Sequence, residues 1–222
     1  MERKIVRTGD GSQTIQLPQW GEQYHSMHGA LQEAYHVFIR QGLYQFSDRP
    51  VDLLEIGFGT GLNALITLSE APARKLTVRY TGLEAFPVVE EEWQQLEYAG
   101  LLSEGDSVQK HFEQMHRAPW DEECPVTSSF TLHKLKIDIR NFKPETAFDL
   151  VYFDAFGARV QPELWTEDIF LGMFRALRPG GILVTYAAKG SVRRAMQKAG
   201  FEVERLPGPP GKREMLRASK PK

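Results

Sequence analysis

One cysteine, Cys124, stands among 222 residues, so the chain cannot close an internal disulfide or build a cysteine-rich zinc site, and a reducing compartment suits it. Long apolar runs are missing too, and none approaches the length that spans a bilayer. The opening stretch MERKIVRTGDGSQTIQLPQW lacks the unbroken apolar segment of a signal peptide, which gives the expectation of a cytoplasmic protein with no membrane partner. Nor does one charge dominate, since 27 Lys and Arg face 29 Asp and Glu. What is present is ordinary for a soluble globular chain: 41% hydrophobic and 25% charged residues exclude disordered and fibrous classes.

The near-neutral total conceals a polarity. From Lys189 to the end, ten basic residues face three acids, whereas from Glu84 to Glu123 eleven acids face two basic residues. A chain so divided can carry a basic face that its net charge hides, although two solvated faces without a partner would look the same.

Apolar runs alternate with helical spacing, the pattern of a parallel sheet covered by helices. VDLLEIG (51–57), LTVRYTGLE (76–84), FTLHKLKIDI (130–139), FDLVYFDAF (148–156) and ILVTYA (182–187) read as strands. Between them LNALITLSEA, PVVEEEWQQLEYAGLL (apolar side Val89, Trp93, Leu96, Leu101), EDIFLGMFRALRPGG (closed by Pro179 and Gly180) and GSVRRAMQKAG read as helices. FEVERL and REMLRA, separated by PGPPGK, fit an antiparallel hairpin at a sheet edge. Residues 1–50 are expected to form an N-terminal extension whose helix (Ala30, Leu31, Ala34, Val37, Phe38) caps one end of the sheet, and residues 51–222 the main domain. The stretch from Glu104 to Ser129 is the least legible, and APWDEECPVTSS within it reads as a long loop. The fold class expected is α/β, a doubly wound and mostly parallel Rossmann-like sheet.

The stretch LLEIGFGTGL places Gly57, Gly59 and Gly61 at alternate positions after a strand. Such a turn lets a ligand approach the backbone, although a plain tight turn would use the same residues. The spacing departs from the G-x-G-x-x-G of dinucleotide sites, and no Lys-Ser or Lys-Thr follows to make a P-loop. With Glu55 ahead of it, E-x-G-x-G-x-G resembles the first motif of class I S-adenosylmethionine-dependent methyltransferases. Glu84, Asp138 and Asp154 then close the next three strands. An ionised acid is acceptor-only, which suits Glu84 to ribose hydroxyls. The resemblance implies that Asp138 meets the adenine amine and that Asp154 lies beside the reactive end of S-adenosylmethionine. Each acid has a plainer alternative as a helix N-cap.

YHSMHGALQEAYHVFI, LLEIGFGTGLNAL, DAFGARVQPELWTEDIF, RALRPGGILVTYAAKGSVRRAMQKAGF and GKREMLRA together resemble, in order and spacing, the methyltransferase domain of the bifunctional tRNA 5-methylaminomethyl-2-thiouridine biosynthesis proteins. The resemblance covers most of residues 22–218. No second glycine fingerprint is present for the FAD-dependent oxidase half of those proteins. Where the family has D-G-F-A-P, this chain has Asp154-Ala155-Phe156-Gly157-Ala158.

The resemblance implies N-methylation of the aminomethyl group of 5-aminomethyl(-2-thio)uridine at the tRNA wobble position. Asp154 is then the catalytic candidate that orients the amine, and the cofactor set is Tyr24, Ser26, Glu55, Gly57, Phe58, Gly59, Gly61, Asn63, Glu84, Asp138 and Asp154. Phe156 and Trp165 are candidates for stacking on the base, as is Tyr24, with core packing as the alternative for all three. Lys189, Arg193, Arg194, Lys212 and Arg213 are the expected contacts to anticodon stem-loop phosphates. No metal is expected, because His25, His28 and His36 have no matching acids or cysteines nearby. His25 is placed beside the cofactor pocket. Two alternatives stand beside this reading: a class I methyltransferase for a small-molecule amine or metabolite, and a non-catalytic RNA-binding module of the same fold.

Overall fold

The computed structural model describes residues 2–102, 106–143 and 146–222. The chain opens with an antiparallel three-stranded sheet of β1 (Lys4–Arg7), β2 (Gln13–Leu17) and β3 (Glu22–Gln23). Helix α1 (Ala30–Ala34) continues into π-helical winding over Tyr35–Arg40. Then come β4 (Pro50–Ile56), α2 (Leu62–Glu70), β5 (Thr77–Leu83), α3 (Glu90–Trp93), α4 (Asp106–Arg117), β6 (Glu123–Thr127), β7 (Phe130–Leu135) and β8 (Phe148–Phe153). The chain ends with α5 (Glu167–Ala176), β9 (Leu177–Thr185), α6 (Gly190–Lys198), β10 (Glu202–Pro207) and β11 (Glu214–Ser219).

The large sheet has the order β10-β11-β9-β8-β4-β5-β7-β6. β7, β5, β4, β8 and β9 run parallel, and β6, β11 and β10 pair antiparallel to their neighbours. The expected doubly wound α/β sheet with a C-terminal edge hairpin therefore forms. Its central strand β8 is buried along its whole length, and the continuous apolar run FDLVYF fits a strand covered on both faces. α2, α4 and the Ala30–Arg40 helix share one apolar cluster, and α5 and α6 share the other. After β4 the chain winds outward to β6 and then returns to β8, so a topological switch point lies between β4 and β8.

The Ala30–Arg40 helix packs against the sheet through Phe38, 5.1 Å from Tyr152 of β8, and its cluster runs across residue 50 without a break. Several local expectations are corrected. Helix α3 is a single turn, leaving Val89 and Leu101 exposed while Trp93 and Leu96 are buried. The stretch expected to be a loop, APWDEECPVTSS, carries β6, and α4 lies just ahead of it in the least legible part of the chain, with residues 104 and 105 outside the described residues. The Arg178-Pro179-Gly180 stretch does not close a helix but belongs to β9, which starts directly after α5, and a register shift opposite Phe148 and Leu150 absorbs it.

Candidate active site

A cavity of about 750 Å³ opens at the C-terminal ends of β4, β5 and β8, where an open α/β sheet presents its crevice. Its floor is the turn after β4. Gly57, Gly59 and Gly61 hold φ of 88°, 53° and 73°, a region that disfavours side chains. A Cβ on Gly57 would stand 2.8 Å from the Asp154 carbonyl oxygen, so β4 and β8 meet there with no room for a methyl group. Phe58 turns down onto β5, over Gly82, where a Cβ would sit 2.6 Å from its ring. The sequence reading missed this glycine, because nothing in TVRYTGL marks it as the seat of a ring 24 residues earlier.

Acids line the rim. Glu84, just past β5, accepts hydrogen bonds from the N–H of Gly59 (2.9 Å, at Oε2) and of Phe86 (2.8 Å, at Oε1). Asp138 lies beyond the end of β7 rather than at it and N-caps the turn Ile139–Asn141. It receives the Arg140 N–H at 2.9 Å and the guanidinium at 2.6 and 3.0 Å. Those bonds from Arg140 hold its carboxyl below the usual carboxylate range.

Asp154 follows β8 directly, its N–H bonded to the Ile56 carbonyl at 2.9 Å. Its carboxyl is recessed in the cavity wall but keeps part of its surface open to the cavity. Burial, and after it the nearby Glu33 carboxylate, pushes it up to about 7, against the Asn63 hydrogen bond and the Lys212 charge, which favour ionisation.

Tyr24 and Phe156 meet edge to face at 5.1 Å, and Trp20 stands edge-on to Phe156 at 5.7 Å. All three are half-buried and line the cavity. The roof is the N-terminal sheet, tied down on two sides. Arg3 donates to the carbonyls of Phe86 and Pro87 and to Glu92 (2.8, 3.2 and 2.8 Å), while Arg159 reaches Glu22 at 2.6 Å and the carbonyls of Trp20 and Gly21. His25 links this roof to the floor, with Nδ1 3.1 Å from the Thr14 hydroxyl and Nε2 3.5 Å from that of Thr60. Burial pushes His25 down to about 4, so it is neutral at physiological pH.

Of the residues expected to hold the cofactor, Tyr24, Gly57, Phe58, Gly59, Asn63, Glu84, Asp138 and Asp154 line the cavity, and so does His25. Glu55 does not: it is 1% exposed, with Oε1 bonded to Asn63, and burial raises it well above the usual range. Ser26 also lies off the cavity, its N–H bonded to Glu33, and Gly61 serves as the left-handed N-cap of α2.

Among the expected substrate residues, Phe156 lines the cavity but Trp165 does not. Trp165 is a core residue, 5.0 Å from the Phe153 ring, and its indole N–H donates to the Phe156 carbonyl at 2.8 Å. Lys212 is not a free surface cation, since it bonds the buried Glu33 at 2.5 Å and sits 3.8 Å over the Tyr186 ring. Lys189, Arg194 and Arg213 are exposed and Arg193 is half-buried, and none of their side chains makes an ion pair among the described residues. Arg3, Trp20, Glu22, Arg140 and Tyr186 were missed. Only the clustering of aromatics around Trp20 and Tyr24 signalled any of them in the sequence.

No trio of His, Cys, Asp or Glu that could hold a metal ion occurs among the described residues, and no helix described is long and apolar enough to cross a membrane.

The doubly wound sheet, with a glycine turn at its switch point, an acid just past β5 and a recessed Asp just past β8, has the fold of a class I methyltransferase. The family described as S-adenosyl-L-methionine-dependent methyltransferase matches residues 105–221, and the chain belongs to that family, with S-adenosylmethionine as its methyl donor. It is similar to the tRNA 5-methylaminomethyl-2-thiouridine biosynthesis bifunctional proteins of Cupriavidus necator (36% identity over 91% of this chain and 32% of the relative) and of Cupriavidus metallidurans (32% identity over 95% and 33%). It thus spans about a third of the length of these relatives. It is also similar to the crystal structure of MNMC2 from Aquifex aeolicus, with a TM-score of 0.81 and 27% identity over 100% of this chain and 72% of that one.

The residues present fit that donor. The floor has no side chain at Gly57 or Gly59, Glu84 keeps acceptor capacity on both oxygens for hydroxyl donors, and the volume lies within the range of small-molecule sites.

Proposed function

We propose that this chain methylates the primary amine of 5-aminomethyl(-2-thio)uridine at the wobble position of tRNA. The observation that carries the proposal is that one cavity is lined by the glycine floor, the recessed carboxyl of Asp154 and the mutually packed rings of Trp20, Tyr24 and Phe156. The printed names of the relatives point to the same modified nucleoside.

Bound S-adenosylmethionine supplies an activated methyl group on a sulfonium. Gly57, Gly59, Glu84 and Asp138 hold it, and the roof excludes water. An alkylammonium has no lone pair and must lose a proton before nitrogen can attack. Asp154, pushed up towards neutrality, accepts a hydrogen bond from the amine and takes up that proton more readily than an ordinary carboxylate would. Phe156, with Trp20 and Tyr24 behind it, stacks on the extruded base, an interaction worth about 1–3 kcal/mol per base. Lys189, Arg193, Arg194 and Arg213 contact the anticodon stem-loop phosphates, giving tRNA as partner.

One observation favours a second reading, a small-molecule amine as acceptor. Four of the ten basic residues of the C-terminal stretch are paired within the chain: Lys212 with Glu33 and Lys198 with Glu167, acids outside the stretch, and Arg205 with Glu214 and Arg217 with Glu204, acids inside it. Incubation with methyl-labelled S-adenosylmethionine and tRNA carrying 5-aminomethyluridine, followed by nucleoside analysis, decides between them. Label in the wobble nucleoside is the expected result, and label that enters only small amines overturns the tRNA assignment.

A further inference from the structure

Asn63 stands in the first turn of α2 and is 3% exposed. Its side-chain Nδ2 lies 2.9 Å from Glu55 Oε1 and 2.9 Å from Asp154 Oδ2. A primary amide nitrogen has two hydrogens, so both are committed, one to each acid. The Asp154 backbone has little freedom of its own, because its N–H is bonded to the Ile56 carbonyl at 2.9 Å and its carbonyl oxygen faces the Cβ-free side of Gly57. What remains to be set is the direction of the Asp154 carboxylate. Among the described residues only Asn63 donates a hydrogen bond to that carboxylate, at Oδ2, and Oδ1 is left without a protein donor.

We infer that Asn63 is a positioning residue for methyl transfer: it fixes Asp154 Oδ2 and thereby presents Asp154 Oδ1 to the acceptor amine. This rests on the amine-methylating reading above. Glu55 fixes the amide in turn. Flipping Asn63 would set its carbonyl oxygen against Asp154 Oδ2, which is acceptor-only when ionised, so ionised Asp154 selects the observed orientation. Glu55 has no ionic partner among the described residues, and burial raises its carboxyl well above the usual range, which weakens the repulsion between two acids sharing one amide. Tyr80, itself buried in the core, lies against Glu55. The other charged groups acting on Asp154 are Glu33, from the Ala30–Arg40 helix, and Lys212, from the β10–β11 loop. Neither bonds it. Lys212 is committed to Glu33.

The test uses Asn63→Ala and Asn63→Asp in the full chain. The Asp154 carboxyl is followed by 13C NMR and assigned by the loss of its signal in Asp154→Asn. In Asn63→Ala the bond that favours the ionised form is gone, so the titration midpoint moves up, by about one unit. The kcat of methyl transfer falls about 10- to 100-fold, in keeping with misplacement of a reacting group. KM for the acceptor and the Kd of S-adenosylmethionine, measured by calorimetry, stay within about threefold. The acid limb of the kcat profile moves to higher pH together with the NMR midpoint. Asn63→Asp keeps the side-chain volume, moves the midpoint the same way, and carries the test if Asn63→Ala fails to fold.

A midpoint that does not move in a folded variant overturns the inference, and so does a KM effect without a kcat effect. The titration needs no acceptor. If wild-type protein leaves tRNA unlabelled, the tRNA reading falls while the midpoint still decides the role of Asn63.

Discussion

The Lys212 ammonium lies 2.5 Å from Glu33 Oε2, joining the loop between the last two strands to a helix 179 residues earlier in the chain. Glu33 is buried and its other oxygen accepts the Ser26 N–H, so the pair anchors the segment that leads into Tyr24 and His25. Breaking a fully buried pair from one side costs about 3–5 kcal/mol, and less here because Lys212 is a third exposed. Lys212→Ala is therefore expected to lower Tm by about 4–8 °C in differential scanning calorimetry. The salt dependence of tRNA binding should not change. A changed salt slope with unchanged Tm would return Lys212 to the RNA-binding face.

Arg193 and Arg194 present the opposite case. Neither guanidinium is held by an acid among the described residues, and both sit on α6, which starts four residues after Tyr186 at the cavity wall. If they contact phosphates, Arg193→Ala and Arg194→Ala should each reduce the slope of log affinity against log salt by about one, with Tm nearly unchanged. Filter binding or fluorescence anisotropy across a salt series reads this directly.

Asp154 should trade stability for function. Its folded-state pKa, about 7, is raised above the ordinary carboxylate value, so between the two values the folded chain binds more protons than the unfolded one. Stability therefore falls as pH rises through that window. Asp154→Asn is expected to abolish methyl transfer yet raise Tm at pH 8, with the gain shrinking as pH falls towards 4. Calorimetry at three pH values checks the sign, and a loss of stability at pH 8 would contradict it.

The seat of Phe58 gives a further expectation. Gly82→Ala would place a methyl carbon 2.6 Å from the ring as it now lies, so the ring and the glycine turn must shift. The Kd of S-adenosylmethionine should rise about tenfold by calorimetry, as expected when a binding turn is misplaced. Gly172→Ala is the control. It has no neighbour within 4 Å of the added carbon and lies inside α5, so it should leave Kd unchanged and raise Tm slightly.

The parts of the site legible in the sequence are those that local chemistry dictates. A glycine at every second position can only be a turn that side chains would obstruct, and an acid one residue past a buried strand, as at Glu84 and Asp154, must emerge at the sheet's C-terminal edge. Asp138 lies at the rim three residues past the end of β7, and its commitment to Arg140 is a rotamer choice that spacing does not encode. Trp165 and Phe156 look alike in sequence, and only the packing of α5 buries one while the loop after β8 exposes the other. Lys212 counted as surface charge because its partner is remote in the chain. Helix α4 was missed although Val108, Phe112 and Met115 follow helical spacing, because Pro119 and Pro125 nearby read as loop signals. The N-terminal strands are two to five residues long, too short for alternation to declare itself.

The two arginine ties of the roof also set an order of assembly. Arg3 waits for a partner about 83 residues downstream, and Glu22 for one 137 residues downstream. Contacts so distant in sequence close large loops and form late. The roof is thus among the last parts to find its place, so the large sheet and its glycine turn can take shape while the cavity is still uncovered, and the cavity is covered only when segments far apart in the chain meet.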